Sequence, residues 1–406
     1  MRLLFITDNF PPEVNAPATR TLEHCREWVK NGADVTVITC APNFPQGKVY
    51  EGYRNKLISR EVIEGIKVIR VWSYITSNEG FIKRTLDYLS FSFTSFFAGL
   101  SVKTDLIIAT SPQFFVALSG RWLSFFKRRP WVMEVRDLWP ESIKTVGAMK
   151  DGPVLRFFEW LELRLYKSAA MVVSVTDSFK ENMISRGIDG EKIQVVKNGA
   201  NLELYQNQPP EESLKQELGL SGKFILGYIG THGMAHKLDF ILECAQHTQD
   251  QDIHYLFVGS GAKKAELLEQ AKEHNLTNVT FLDPVAKEEV WKYISILSAM
   301  IIPLKKSDLF KTVIPSKIFE TAAMGKPILL GVDGESRAII ESYNAGLFFE
   351  PENQSHFLEK LNDLKSNPDL YQGLKQGCSS LAKAFDRRKL ASKMLNHLKE
   401  VSRHGK

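Results

Sequence analysis

The sequence predicts an α/β protein built as two facing, doubly wound parallel-sheet lobes. Its 406 residues exceed one ordinary domain and suit two, each able to bury a core. Short apolar runs alternate with amphipathic stretches along nearly the whole chain, which is a β-α-β rhythm. The rhythm stops in the polar stretch Asn198 to Ser213, which holds Pro209-Pro210, and then restarts. The expected domains are residues 1–200, residues 201–385, and a terminal helix over 386–406 that packs back on the first lobe. Parallel sheets take ligands beyond the carboxyl ends of their strands, so two such lobes imply a cleft between them.

The elements follow in order. Leu3–Thr7 is an apolar run that meets Asp8, hence a buried strand, and no small-residue cleavage site follows it, so a cytosolic protein is expected. A helix near Ala18–Asn31 and a strand at Asp34–Thr39 come next. Glu61–Trp72 reads as a hairpin turning at Glu64-Gly65. A helix starts at Phe81; strands are expected at Leu106–Thr110, Trp131–Val135, Met171–Val175 and Ile193–Val196, with helices at Phe114–Phe126, Pro153–Ser168 and Ser178–Arg186. The second lobe opens with strand Phe224–Ile229 and helix Leu238–Thr248. Strands at His254–Val258, Val279–Leu282, Met300–Pro303, Ile328–Leu330 and Leu347–Phe349 follow, and the chain is helical from Gln354.

Composition is that of a globular protein, 44% hydrophobic and 24% charged. Cys25, Cys40, Cys244 and Cys378 lie far apart in no metal-ligand or disulfide spacing. The net charge of +5 is uneven: residues 51–150 carry 15 Lys/Arg against 9 Asp/Glu, so something anionic is expected to meet the first lobe.

Ile314-Pro-Ser-Lys-Ile-Phe-Glu320 carries the most chemistry. Pro315 suits the first turn of a helix, and Ser316, Lys317 and Glu320 fall within one turn beside free amides. The pattern fits a nucleotide diphosphate, with phosphates on Lys317 and the amides and ribose hydroxyls on Glu320; a solvated helix start is the other reading. Arg136-Asp137 closes a strand, and Asp137 is placed to receive or orient a hydroxyl proton, with Glu13 second. A purely structural Arg-Asp pairing is the alternative. Gly259-Ser-Gly261 ends a strand where a nucleotide cleft would lie. Asp250-Gln-Asp252 spells a metal-binding D-x-D but falls at the wrong sheet edge, so no metal is expected.

Asp8-Asn-Phe-Pro-Pro-Glu13, Val135-Arg-Asp-Leu-Trp-Pro-Glu141, Asn198-Gly-Ala-Asn201, Gly227-Tyr-Ile-Gly-Thr-His-Gly233, Val258-Gly-Ser-Gly261 and Pro315-Ser-Lys-Ile-Phe-Glu320 together give the chain a strong likeness. It resembles family-4 glycosyltransferases of the GT-B fold, two Rossmann-like lobes, especially those adding N-acetylated deoxyhexoses in O-antigen or capsule assembly. The resemblance implies a retaining hexosyltransferase that uses a UDP-sugar as donor substrate, without cofactor, and a polyprenyl-diphosphate-linked glycan as acceptor. It places Glu320 on the ribose. The family's partner glutamate falls at Thr312, a departure that leaves Lys311 or a backbone group to hold the donor sugar. Its glycine pair falls at Asn15 and Ala16, with Arg20 able to reach an anion. Thr231, Gly233 and Lys237 take the diphosphate-binding turn, although the family's arginine is missing there, and Val285 sits where the base is cradled.

Between Asp87 and Lys103 stand 15 uncharged residues, including Phe96 and Phe97, too few and too polar to span a bilayer. Gly120–Pro130 adds Arg121, Lys127 and Arg128 beside aromatics. The expectation is an anionic membrane surface that brings the enzyme to the inner face of the cell membrane, against the alternative of a helix packed on the sheet. A nucleic-acid partner is not among the expectations. A UDP-sugar 2-epimerase or a non-catalytic sugar-nucleotide-binding protein would share the fold; a dinucleotide oxidoreductase would need G-x-G-x-x-G where Pro11-Pro12 stands.

Overall fold

The computed structural model describes residues 1–44, 46–76, 81–111, 114–141 and 152–404. They form two compact units, residues 1–197 with 387–406, and residues 198–386.

In the first unit the strands are β1 (Arg2–Ile6), β2 (Asp34–Cys40), β3 (Ile58–Ile63), β4 (Ile66–Val71), β5 (Leu106–Thr110), β6 (Trp131–Val135), β7 (Met171–Ser174) and β8 (Ile193–Val195). They form one sheet in the order β3-β4-β2-β1-β5-β6-β7-β8, parallel except for the β3–β4 hairpin. Its turn needs two left-handed residues, and Glu64 (φ 52°) and Gly65 (φ 80°) supply them. Helices α1 (Ala16–Lys30), α2 (Phe81–Leu100), α3 (Val116–Lys127), α4 (Pro153–Ser168) and α5 (Asp177–Ser185) connect the strands.

The second unit holds α6 (Glu212–Glu217), β9 (Phe224–Ile229), α7 (Leu238–Gln246), β10 (Ile253–Val258), α8 (Lys264–Glu273), β11 (Val279–Leu282), α9 (Val290–Ser295) and β12 (Ala299–Pro303). It continues through α10 (Lys317–Ala323), β13 (Ile328–Gly331), α11 (Glu335–Tyr343), β14 (Gly346–Phe348), α12 (Gln354–Ser366) and α13 (Pro368–Ala384). The sheet order is β11-β10-β9-β12-β13-β14, all parallel. The central strands β9 and β12 are apolar runs buried on both faces, as parallel strands covered by helices must be. Asn353 and Asn367 cap α12 and α13 through their side-chain oxygens.

The last helix, α14 (Arg387–His404), rejoins the first unit. Ala391, Met394, Leu395 and Leu398 enter the same core as Phe5 and Trp28, and the indole N–H of Trp28 donates to the Ala391 carbonyl at 2.8 Å. Arg387 pairs with Glu23 on α1. Arg20, read from sequence as able to reach an anion, is 2% exposed and spent on structure. Its guanidinium donates to Glu134 at 3.0 Å and to the carbonyls of Val196 and Lys197, because a charge buried this deeply must be paired.

Candidate functional site

At the carboxyl edge of the second sheet, the loops after β9 and β10 lie backbone to backbone. A Cβ on Gly259 would stand 2.0 Å from the Gly230 carbonyl oxygen, and one on Gly261 would stand 2.4 Å from that of His232. Only glycine fits, and Gly259 has φ 144° besides. The His232 amide donates to the Ser260 carbonyl at 2.9 Å, locking the two loops.

Lys317, the first residue of α10, reaches into this corner. Its ammonium lies 3.8 Å from the centroid of the Tyr228 ring, and a Cβ on Gly230 would come within 3.0 Å of it. Burial lowers its pKa to about 7, against the opposing charge of Glu320 one turn along the helix. The site thus holds a desolvated lysine that an arriving anion would charge. Ser316 precedes the helix with its hydroxyl making no capping bond, and Pro315, Lys317 and His236 line an adjoining cavity of about 250 Å³. With only seven residues, α10 offers a small dipole, and Lys317 itself supplies the positive charge.

Other residues expected on the donor are placed differently. Lys237 has φ 47° and ion-pairs with Asp239 at 2.5 Å, so its charge is answered locally. Thr231 is exposed at the turn, where its carbonyl accepts from the Tyr228 hydroxyl at 2.7 Å, and Gly233 leads the short turn Met234–His236. The Thr312 hydroxyl donates to the Leu309 carbonyl at 2.8 Å, and exposed Lys311 pairs with Asp308 at 2.7 Å. Val285 is half-buried after β11. The second unit also contains a brace that the sequence did not reveal: the Lys264 ammonium donates to the carbonyls of Gly259 and Leu282 at 2.9 and 3.0 Å and ion-pairs with Asp283. It pins together the loops that carry Gly259 and Val285. Both ring nitrogens of buried His232 lack a hydrogen-bond partner, and burial holds its pKa, like that of His236, near 4.

Asp250 and Asp252 lie between α7 and β10 and face Lys365 and Lys223.

At the carboxyl edge of the first sheet, Asn15 has extended backbone (φ −68°, ψ 163°) and caps α1, its side-chain oxygen accepting from the Ala18 amide at 2.9 Å. At the place of the family's glycine pair the chain thus has a helix cap, and Ala16 starts the helix. Arg136 lies close by, donating to the Pro17 carbonyl at 3.2 Å, its pKa lowered to about 10 by burial. Asp137 is half-buried just after β6. Glu13 is 3% exposed and accepts from the amides of Asn43 and Phe44 at 2.8 and 2.9 Å, so it braces a loop from a buried position. Burial raises its pKa, and burial together with Asp87 and Glu13 raises that of Asp8 strongly. Asp87, read from sequence only as the edge of an uncharged stretch, completes the cluster, its pKa pushed by burial to about 7.

The aromatic face is also rephased. Phe96 is 8% exposed, its ring packed among those of Phe97, Trp122 and Phe126 at 5.1, 5.8 and 5.6 Å, so it anchors α2 on α3 and does not face outward. The outward residues are Phe93, Phe97, Trp122, Phe125 and Phe126, 53–71% exposed, and α4 adds Val154, Phe157 and Trp160. Arg121 and Arg128 are exposed beside them. Lys127 instead donates to the Leu100 carbonyl at 2.9 Å, closing the end of α2. No helix among the described residues is long and apolar enough to cross a membrane.

Residues 15–199 match the family described as Glycosyl transferase 4-like domain, and residues 210–378 match Glycosyl transferases group 1. WcaI of Escherichia coli K12, a glycosyl transferase assigned to colanic acid biosynthesis, is 25% identical over 335 residues, 80% of this chain and 82% of WcaI. Among solved structures, sucrose-phosphate synthase of Thermosynechococcus elongatus superposes with a TM-score of 0.78 at 16% identity, over 98% of both chains. Anabaena HepE in complex with UDP-glucose gives 0.73 at 16% identity, over 98% of this chain and all of HepE. The protein belongs to the family-4-like glycosyltransferases, with the GT-B fold.

Proposed function

We propose that the protein transfers a sugar from a UDP-linked donor to a polyprenyl-diphosphate-linked glycan, with retention of configuration, at the inner face of the cell membrane. One observation carries the donor half: the Lys317 ammonium stands beside Gly230 over the Tyr228 ring, one helical turn from Glu320. Lys317 neutralises the diphosphate, Ser316 and the Thr231–Gly233 turn add hydrogen bonds, and Glu320 accepts from the ribose hydroxyls. A neighbour of the same fold binding UDP-glucose supports this reading. The leaving phosphate takes the acceptor proton, and the chain positions and neutralises; Asp137 orients the acceptor hydroxyl. An N-acetylated deoxyhexose or hexosamine is the proposed sugar. Arg121 and Arg128 meet lipid phosphates while Trp122, Phe125 and Phe126 enter the headgroup region.

A thermal-shift screen of UDP-sugars, followed by transfer assays on synthetic polyprenyl-diphosphate sugars, tests the proposal. The expected result is one stabilising UDP-sugar whose sugar appears on the lipid. Conversion of that UDP-sugar with no acceptor present would assign epimerase chemistry instead, and binding without any transfer would assign a sensor.

A further inference from the structure

A separate concave site opens at the opposite end of the second sheet. β9, β12 and β13 begin at Phe224, Ala299 and Ile328, and a cavity of about 500 Å³ is walled by residues just before two of these starts, Leu297, Ser298, Gly325 and Lys326. The donor residues lie beyond the other ends, so the strand length, on the order of 15 Å, separates the two sites.

Three lysines from different parts of the chain meet here: Lys215 of α6, Lys326 ahead of β13 and Lys375 of α13, all half-buried. Among the described residues, none that lines the cavity is acidic. Lys215 has Glu212 as a partner 2.9 Å away, outside the cavity. Lys326 donates to the Ser295 carbonyl at 2.6 Å, a contact that leaves its charge uncompensated. Its pKa is lowered to about 8, first by burial and then by the positive charges of Lys375 and Lys215. Gathering like charges in a concavity costs energy that an anion would recover. Asn207 and Gln208 add side-chain amides at the rim, and Asn207 packs against Gly325, whose φ of 64° lets the backbone turn beneath it.

We propose that this cavity binds a phosphate-bearing molecule, held by the ammonium groups of Lys215, Lys326 and Lys375 with the amides of Asn207 and Gln208. A phosphate ester carries about two negative charges at neutral pH with three acceptor oxygens, which suits three point-like cations better than a single carboxylate does. Nothing in the proposed transfer reaction uses these residues, so the inference stands apart from the donor site.

The probe is inorganic pyrophosphate, titrated calorimetrically into the full chain carrying Lys317→Gln, so that binding at the donor corner is weakened. Saturable binding is expected, falling about tenfold with Lys375→Glu or Lys326→Gln and weakening as salt is added. Lys375→Glu lies on a helix surface, and its unchanged melting temperature and UDP-glucose affinity in an otherwise wild-type chain are the folding control. Vesicles containing phosphatidylglycerol are the second probe, with Trp122→Ser and Phe125→Ser weakening the first unit's aromatic face: sedimentation that Lys375→Glu then lowers assigns the phosphate to a lipid headgroup, and sedimentation that is absent or unaffected by Lys375→Glu assigns it to a soluble ester. No pyrophosphate binding at low ionic strength, or binding indifferent to both substitutions, would overturn the proposal.

Discussion

Donor binding should carry the titration of Lys317. In the free protein burial places this lysine at about pH 7, whereas a bound diphosphate beside it stabilises the charged form and raises the value. The protein then takes up a proton on binding at alkaline pH. If only charged Lys317 binds, affinity scales as the charged fraction, about nine-tenths at pH 6 and one-tenth at pH 8, so it should fall about tenfold over that range, with about 0.9 proton taken up per ligand at pH 8. UDP-glucose is the suitable ligand because its diphosphate is doubly esterified and keeps a constant charge. His232 and His236, near 4 in the free protein, are neutral over this range before the ligand arrives. Calorimetry at pH 6, 7 and 8 in buffers of differing ionisation enthalpy reads both affinity and proton uptake. Lys317→Gln should bind roughly ten- to a hundredfold more weakly at pH 6, the range for losing a charged hydrogen bond, and its affinity should be flat with pH. A flat wild-type profile, or a slope retained in Lys317→Gln, would refute the reasoning.

Asp87 has a folded-state pKa near 7, raised above its ordinary 3.8, so the native first unit holds a proton that the unfolded chain releases. Stability should therefore decline as pH rises from 4 to 7, with Asp8 and Glu13 adding the same sign, and Asp87→Asn should flatten that decline in melting curves at pH 5 and 8. Gly259→Ala would force a Cβ to 2.0 Å from the Gly230 oxygen at a φ of 144°; denaturant unfolding should show about 2–4 kcal/mol lost. Trp122→Ser with Phe125→Ser removes two outward rings, and partition onto anionic vesicles should fall at least about tenfold while donor binding is unchanged.

The strands were the most legible part of the sequence. β5, β6, β9 and β11 lie where the apolar runs put them to the residue, because each is a short, mostly apolar segment bounded by charge, turn or polar residues, β6 keeping its run despite Glu134. The Glu64-Gly65 hairpin was likewise local information. What failed was phase and partnership. A count of uncharged residues located α2 but not which of its faces was buried, so Phe96 was placed outside when the packing of α3 puts it inside. Lys237 was read by its position in a motif, but its left-handed backbone turns it toward Asp239. Tyr228 beneath Lys317, Lys264 across two loops, and Asp87 near Asp8 are pairings between distant segments, fixed only when parallel strands bring their carboxyl ends together.

The central claim is that the corner formed by Gly230, Tyr228, Lys317 and Glu320 is the nucleotide seat. Calorimetric titration of UDP into wild type and Glu320→Ala tests it most directly, since Glu320 is half-buried on a surface turn of α10 and its removal leaves the core intact. Glu320→Ala should bind UDP at least about tenfold more weakly with an unchanged melting temperature, the loss expected for a charged acceptor of ribose hydroxyls. Equal UDP affinity in the two proteins would contradict the account and move the nucleotide elsewhere.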